Sequence, residues 1–532
     1  MSGNSTAKFR AAMSNPQIRL ENRPTGDTPG WLSSPSSIVA AILVSAFLVR
    51  LIGIEHRWLW SDELLSANFI AHGFWNTLIT NLRFDIHPPL YYLQLELWAL
   101  FSRSDLWLML NSVLWSVVAV GILIAAVRRF FGLRSALIAG ALFAFSPAAL
   151  AYGDQVRMYS FLMALIIWVW VAQMNWLRAA PDRQRLVSPP SLNLILSQLA
   201  VIYTHSAGLI MISGCVTLAA TMLAEGRDIR AAKRWIICQC VVGLSALPAV
   251  AIALVREAGH VTAPSLAEIW TTWEFLAAGA MQFTLLGPIL GIGLLAVLIY
   301  VMVTMPGERI GVANLIFVPL IIAAAISYGL KPTWIERIFV TIIPFLCLFA
   351  ALAIEKQFDL TSSTPRIRRI LAVGLALIWV GTGVAGQLTR EKGDGFKLAA
   401  SYLHQNIASG DVVLVDGDYP YWCLLWYFAG PDWGVPQQAY IETPKWRGFA
   451  AKLNPVVLKA LDFRAQKREI NVKGTDVIMW DRENPVQIPS ARNVFLVRNA
   501  NTGPVTLEGY NSIGSRRDED LVIDEFAKSK TN

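Results

Sequence analysis

Two adjacent carboxylates, Asp62 and Glu63, close the run Trp58-Leu59-Trp60-Ser61-Asp62-Glu63, and a third acid opens Asp85-Ile86-His87-Pro88-Pro89-Leu90. Both stretches follow the first long apolar segment, where charged groups are costly unless paired or put to use. Neighbours on a helix project about 100° apart, so Asp62 and Glu63 cannot both face one reacting atom. One can act as a base while the other orients, binds a cation or caps a helix. The same pair also suits an ordinary helix start, with Ser61 ahead of it and both acids near the positive end of the dipole. Pro88 restricts His87 to extended backbone, and Pro89 suits a first helical turn. His87 can then donate to a phosphate oxygen or hold an acceptor group; the plainer reading is a turn in which it meets backbone carbonyls.

Cations recur at comparable positions. Arg157 and Tyr159 follow the end of one apolar segment, and Lys331 and Arg337 bracket Pro332-Thr333-Trp334-Ile335-Glu336. Guanidinium forks and lysine charges at a cleft mouth suit phosphate recognition, although an arginine at a span end also snorkels to the interface without further purpose. His205, in Tyr203-Thr204-His205-Ser206, falls at a short turn and suits either a site or a structural role. There is no Gly-rich nucleotide loop after a strand, and no His-x-x-x-His or Cys-x-x-Cys spacing, which argues against nucleotide and zinc chemistry. Two adjacent acids are compatible with a divalent cation, but a third oxygen ligand is not identifiable.

The elements that must position these residues are membrane helices. The chain of 532 residues is 55% hydrophobic and 15% charged, with mean hydropathy +0.47, the composition of a polytopic helical membrane protein. Its net charge of +8 lies largely in short loops and does not imply nucleic acid. Several of its 20 tryptophans sit at segment ends, as an interfacial belt requires. Apolar segments near 37–54, 106–127, 135–151, 158–177, 191–203, 206–223, 234–255, 285–304, 311–329, 337–355 and 368–387 give eleven spans, of which 191–223 also reads as one long helix. Residues 1–36 form a polar N-terminal tail, and Ser37–Ile54 reads as an uncleaved anchor.

Charge sets the topology. With the N-terminus inside, the basic loops at Arg128–Arg134, Arg178–Arg185, Arg227–Arg234 and Arg366–Arg369 all fall in the cytoplasm. This holds only if Pro88–Phe101 does not cross; at about 14 residues it reads as a helix in the outer interface. Asp62, Glu63, Asp85, His87, Asp154, Arg157, Tyr159, His205, His260, Lys331, Glu336 and Arg337 then share the outer face, within and around a first outer loop at 55–105. Residues 37–389 form the transmembrane unit. From 390 to 532 the pattern changes to a small extracytoplasmic α/β domain, with a helix at Phe396–Ile407 and strands at Asp411–Asp416, Asp476–Trp480 and Asn493–Val497. The last dozen residues read as a disordered polar tail, and the Pro/Ser stretch at 188–191 as a loop. Four of the five cysteines lie in apolar spans, so no disulfide framework follows.

Taken together, Asp62-Glu63, Asp85-Ile86-His87-Pro88-Pro89-Leu90, Arg157-x-Tyr159 and Arg337 ahead of an apolar helix with Pro344 make residues 37–390 resemble the GT-C integral-membrane glycosyltransferases. The likeness is greatest to the branch of protein O-mannosyltransferases and lipid A aminoarabinose transferases. The resemblance implies a helical membrane fold that moves a sugar from a polyprenyl-phosphate donor to a glycolipid, polysaccharide or protein acceptor on the outer face of the cytoplasmic membrane. Asp62 would be the general base and Glu63 would support the acceptor or the loop. His87, Arg157 and Arg337 would stabilise the leaving phosphate, with Asp85, Tyr159, Lys331 and His205 in the same donor-binding region. Tyr91-Tyr92 replaces the Gly-Lys typical of protein mannosyltransferases, and His87 replaces the Lys of aminoarabinose transferases, so the acceptor does not carry over. A transporter or lipid flippase is the rival reading, opposed by the crowding of charges at one face and the lack of an inverted repeat. A non-catalytic scaffold leaves the converging acids and cations unexplained.

Overall fold

The computed structural model describes residues 35–70, 73–255, 261–358, 366–390, 393–431, 469–480, 488–489 and 491–529. Among them, nine helices are long and apolar enough to cross a membrane: Pro35–His56, Asp105–Phe131, Tyr159–Arg178, Gly208–Gly226, Ile229–Leu254, Leu286–Thr304, Arg309–Gly329, Glu336–Gln357 and Arg366–Leu388. The other two expected spans are shorter. One is Leu133–Ala144, broken before the one-turn helix Pro147–Ala151, where Pro147 cannot donate to the ladder and Ser146 Oγ instead accepts from Ala149 N at 3.4 Å. The other, Pro189–Ile202, begins where a Pro/Ser loop was expected: the two prolines occupy its first turn, whose N–H groups have no intrahelical partner in any case. The ambiguous stretch 191–223 is two helices. Its tight turn requires Gly208, where a Cβ would stand 2.5 Å from the Cα of Ile202.

Burial sorts these helices. In Tyr159–Arg178 and Glu336–Gln357, 78% and 83% of the apolar window is buried, against 22% in Pro35–His56, Ile229–Leu254 and Arg366–Leu388. The first two form the bundle core. The outer three present residues such as Leu48, Leu244 and Leu377 outward. Exposed apolar stripes of this length are stable only against lipid: this is a multi-pass membrane protein.

Alternation of the segments gathers the basic loops at one end, where Arg234 donates to Gln184 Oε1 at 3.0 Å and Arg369 Nε to the Gln357 carbonyl at 2.9 Å. At the other end the first loop folds into three short helices, Ser61–Phe69, Phe74–Phe84 and Leu90–Ala99. The third has 10 residues, spanning about 15 Å, half of what a crossing needs. The helix Leu266–Ala278, capped by Ser265 and Glu268 in a reciprocal box, is an element the hydropathy reading did not anticipate.

The C-terminal region forms a six-stranded sheet in the order β2-β3-β1-β4-β6-β5 (β1 Val412–Asp416, β2 Glu469–Val472, β3 Thr475–Trp480, β4 Asn493–Asn499, β5 Tyr510–Asp518, β6 Leu521–Lys528). The central strand β1 runs parallel to β3 and β4, while the remaining pairs are antiparallel. The expected disordered tail is mostly β6, which pairs with β4 from Leu521 to Ala527 and buries Leu521, Val522, Ile523 and Phe526. Its acidic and basic residues masked that pattern; Asp524 is neutralised by Arg498 at 2.5 Å.

Candidate active site

Three backbone segments converge on Asp62. The helix Ser61–Phe69 places Asp62 in its first turn. Arg337, in the 3-10 turn Glu336–Ile342 that opens a core helix, donates through Nη1 to Asp62 Oδ2 at 2.6 Å. Tyr419, at the start of the lobe helix Asp418–Phe428, donates its hydroxyl to Oδ1 at 2.6 Å. Arg157 adds a second cation from the loop after Pro147–Ala151, donating through Nη1 to the Asp62 carbonyl and to Ser66 Oγ, each at 3.1 Å. Burial alone would raise the Asp62 pKa, but the charges of Arg157 and Arg337 and the bonds from Tyr419 and Arg337 outweigh it and hold the carboxyl at about 2. Asp62 is therefore ionised at neutral pH, and its side chain keeps 20% of its surface open.

Glu63 faces inward instead. Its side chain is fully buried, with both oxygens 2.6 Å from Arg57 Nη2; Oε2 also accepts from Trp60 N at 3.0 Å and Oε1 from Val156 N at 2.7 Å. Burial pushes its pKa up, against the pull of Arg57. Arg57 in turn meets Asp154 at 3.2 Å, and Asp154 also pairs with Arg390 from the end of the last span. This chain of charges ties the first loop, the 152–158 loop and residue 390 together. It accounts for every strong hydrogen-bonding direction of Glu63 and leaves no free face for a reacting atom.

Two histidines form the far wall. The His87 and His205 rings lie 4.3 Å apart. His87 Nδ1 faces the Ser206 hydroxyl at 3.2 Å and its backbone N–H at 3.5 Å, and His205 Nδ1 accepts from Ala207 N at 3.0 Å. Burial, then the neighbouring cations, depress both pKa values well below the usual imidazole range. Each ring is thus neutral with Nδ1 as acceptor, which puts the proton on Nε2 and makes it a donor. Asp85 is buried behind them, accepting from His87 N at 3.2 Å with the Tyr92 phenol beside it, and burial raises its pKa. Tyr159 is buried with its ring 4.5 Å from Tyr152, and its phenol is among the groups that act on Arg157 and Arg337.

Of the residues singled out in the sequence, the structure brings together Asp62, Glu63, Asp85, His87, Arg157, Tyr159, His205 and Arg337. The Lys331 ammonium donates to the Ala253 carbonyl at 2.7 Å near the end of the helix Ile229–Val255. His260 lies outside the described residues. Tyr419, Arg57 and Arg390 are the participants the sequence reading missed. A signal for Tyr419 existed, since it follows the Gly417 turn after a buried strand, but nothing local links it to a carboxylate 357 residues away. Among the described residues no three His, Cys, Asp or Glu side chains converge as a cation site, and the Asp62 and Glu63 oxygens are already engaged by arginine and tyrosine.

The fold has solved counterparts. ArnT from Cupriavidus metallidurans aligns over 92% of this chain and 98% of its own, at 14% identity, with TM-score 0.55 when bound to undecaprenyl phosphate and 0.56 in the apo state. The archaeal oligosaccharyltransferase AglB from Archaeoglobus fulgidus, solved with an inhibitory peptide and a dolichol phosphate, aligns over 88% of this chain and 70% of its own at 12% identity and TM-score 0.48. No protein-family model matches the sequence, and no curated protein matches it significantly. The chain therefore shares its fold with ArnT over nearly its whole length.

Proposed function

We propose that this protein transfers a sugar from a polyprenyl-phosphate donor to a hydroxyl-bearing acceptor, a glycolipid, polysaccharide or protein, at the outer face of the cytoplasmic membrane. One observation carries the reading: an ionised, partly open carboxylate, Asp62, sits between Arg337 and Arg157 at the membrane face opposite the basic loops. The undecaprenyl phosphate bound by ArnT supports the donor class, and the positive-inside rule supports the side.

In this reaction the acceptor oxygen attacks the anomeric carbon from the side opposite the phosphate. The new C–O bond forms as the bond to the phosphate oxygen breaks, so the configuration inverts, and the hydroxyl proton passes to Asp62. A carboxylate with pKa about 2 is a weak base toward a resting hydroxyl. Incoming phosphate competes for the same guanidinium groups, however, and each hydrogen bond it takes from Arg337 leaves Asp62 more basic. The neutral His87 and His205 supply Nε2–H donors to phosphate oxygens without adding charge, and Arg157 and Arg337 meet the charge that develops on the leaving group. Glu63 acts at a distance by fixing the loop, and Tyr419 positions the Asp62 carboxylate.

The test supplies membranes carrying the wild type or Asp62→Asn with radiolabelled polyprenyl-phosphate sugars and total envelope extract. Label should move into a new product with the wild type, and the variant should lose on the order of 10²–10⁴-fold in rate, the usual contribution of a general base, while keeping its melting temperature. Transfer at the wild-type rate by Asp62→Asn would remove Asp62 from the mechanism. Failure of a folded wild type with every polyprenyl-phosphate sugar would favour transport of a lipid over transfer.

A further inference from the structure

The bundle carries a cavity whose lining does not include Asp62 or its partners. It lies between the helices Leu286–Thr304, Ile343–Gln357 and Arg366–Leu388 and has a volume of about 310 Å³. Small side chains open it: Gly293, Ala296, Ala350, Ala353, Ala372 and Ala376 stand where larger residues would close the gap. Its walls run from Leu346 to Gln357 on one helix, a rise of about 16 Å. That matches one leaflet, half of a hydrocarbon core about 30 Å thick.

Polarity is confined to one end. Arg368, Gln357 and Tyr300 line the cavity there, at the end where the basic loops gather, with Lys356 over the Tyr300 ring at 5.8 Å. Gln357 is 93% buried (7% exposed), and among the described residues its side-chain Oε1 has no hydrogen-bond partner. A buried orphan acceptor is costly, and this one belongs to a side chain lining the cavity. The missing group is a donor at headgroup depth, next to cations that favour an anion.

We propose that this groove is a binding site for an anionic glycerophospholipid with a hydroxyl-bearing headgroup, taken from the leaflet on the side of the basic loops. One acyl chain fills the small-residue groove, the phosphate meets Arg368, and a headgroup hydroxyl donates to Gln357 Oε1. The polyprenyl donor is a poorer occupant, because its phosphate must reach Arg157 and Arg337 at the opposite face. The lipid would brace the last span, which carries Arg390 into the buried charge network beneath Asp62. The proposal is independent of the transfer reaction.

Native mass spectrometry of the full chain in detergent, titrated with phosphatidylglycerol, phosphatidylcholine or undecaprenyl phosphate, tests it. The wild type should retain one phosphatidylglycerol at concentrations where phosphatidylcholine is lost. Arg368→Gln and Gln357→Leu should each weaken retention about tenfold, as expected for one lost charge-assisted or buried hydrogen bond, and the groove-filling Ala372→Phe should abolish it. Melting temperatures without lipid show whether each variant folds; a folded variant should lose only the lipid-induced rise. Equal retention of phosphatidylcholine, or phosphatidylglycerol retention unchanged in all three variants, would reduce the groove to ordinary lipid-facing surface. Preferential retention of undecaprenyl phosphate that Ala372→Phe removes would assign it to the donor instead and overturn the proposal.

Discussion

Asp62 and Glu63 are neighbours of nearly the same chemistry, and their surroundings give them opposite uses. Asp62 is partly open and shared by Arg337 and Tyr419, whereas Glu63 is closed over by Arg57 and two backbone N–H groups. Replacing Tyr419 by Phe removes one of the bonds that lower the Asp62 pKa. The ionised form is the active one, so the acid limb of the rate profile should move to higher pH, by up to about one unit for a hydrogen bond to a charged group. Donor KM should change little; an unchanged limb would deny Tyr419 any part in positioning the base. Glu63→Gln should instead destabilise the fold by about 3 kcal/mol, because it leaves Arg57 buried with only Asp154 as counter-charge. A thermal midpoint in detergent indistinguishable from wild type would contradict that assignment.

At the scale of elements, the helix Ser61–Phe69 and the residues just before it are held from the C-terminal domain as well as from the membrane unit. Asp394 accepts from Ser61 N at 2.7 Å through its carboxylate and from Trp58 Nε1 at 2.6 Å through its carbonyl. Tyr427 Oη accepts from Leu59 N at 2.9 Å, and Asn68 donates to the Trp422 carbonyl at 3.1 Å. Gly393 makes this approach possible: its φ is +122°, and a Cβ there would lie 2.5 Å from the Trp58 carbonyl oxygen. Gly393→Ala should therefore loosen the domain from the first loop, seen as faster limited proteolysis between the two units and several-fold lower transfer. A proteolysis pattern matching wild type would show that the contact tolerates the extra methyl.

The whole molecule is polarised, with charged clusters at one end and basic loops at the other. If the basic end is cytoplasmic, a cysteine introduced at exposed Ser512 in β5 should react with a membrane-impermeant maleimide in cells whose outer envelope is permeabilised. One at exposed Arg185 should react only after lysis. The reverse pattern would invert the topology and place the candidate site inside. The bundle was largely legible because lipid imposes its rule on every outward residue: an apolar run of about 20 residues has few alternatives. Two features escaped that rule, the helix Leu266–Ala278 and the first turn of Pro189–Ile202, whose body was expected as the span 191–203. Leu266–Ala278 does not cross, and Pro189–Ile202 starts in prolines that serve helix starts and loops alike.

The membrane class, the placing of Asp62, His87, Arg157, His205 and Arg337 at one face, and the central strands of the C-terminal domain were legible in the sequence. Each of these rests on a local signal: hydropathy length, loop charge, or a β-branched run after a glycine. Packing in three dimensions settled which of two adjacent acids stays partly open, because that depends on Arg57 and Arg337 arriving from separate segments. It also turned the Lys331 ammonium to the Ala253 carbonyl and brought in Tyr419 across 357 positions. Side-chain charge and propensity act over a few residues along the chain, whereas the partner that sets a carboxylate's pKa is chosen by packing in three dimensions.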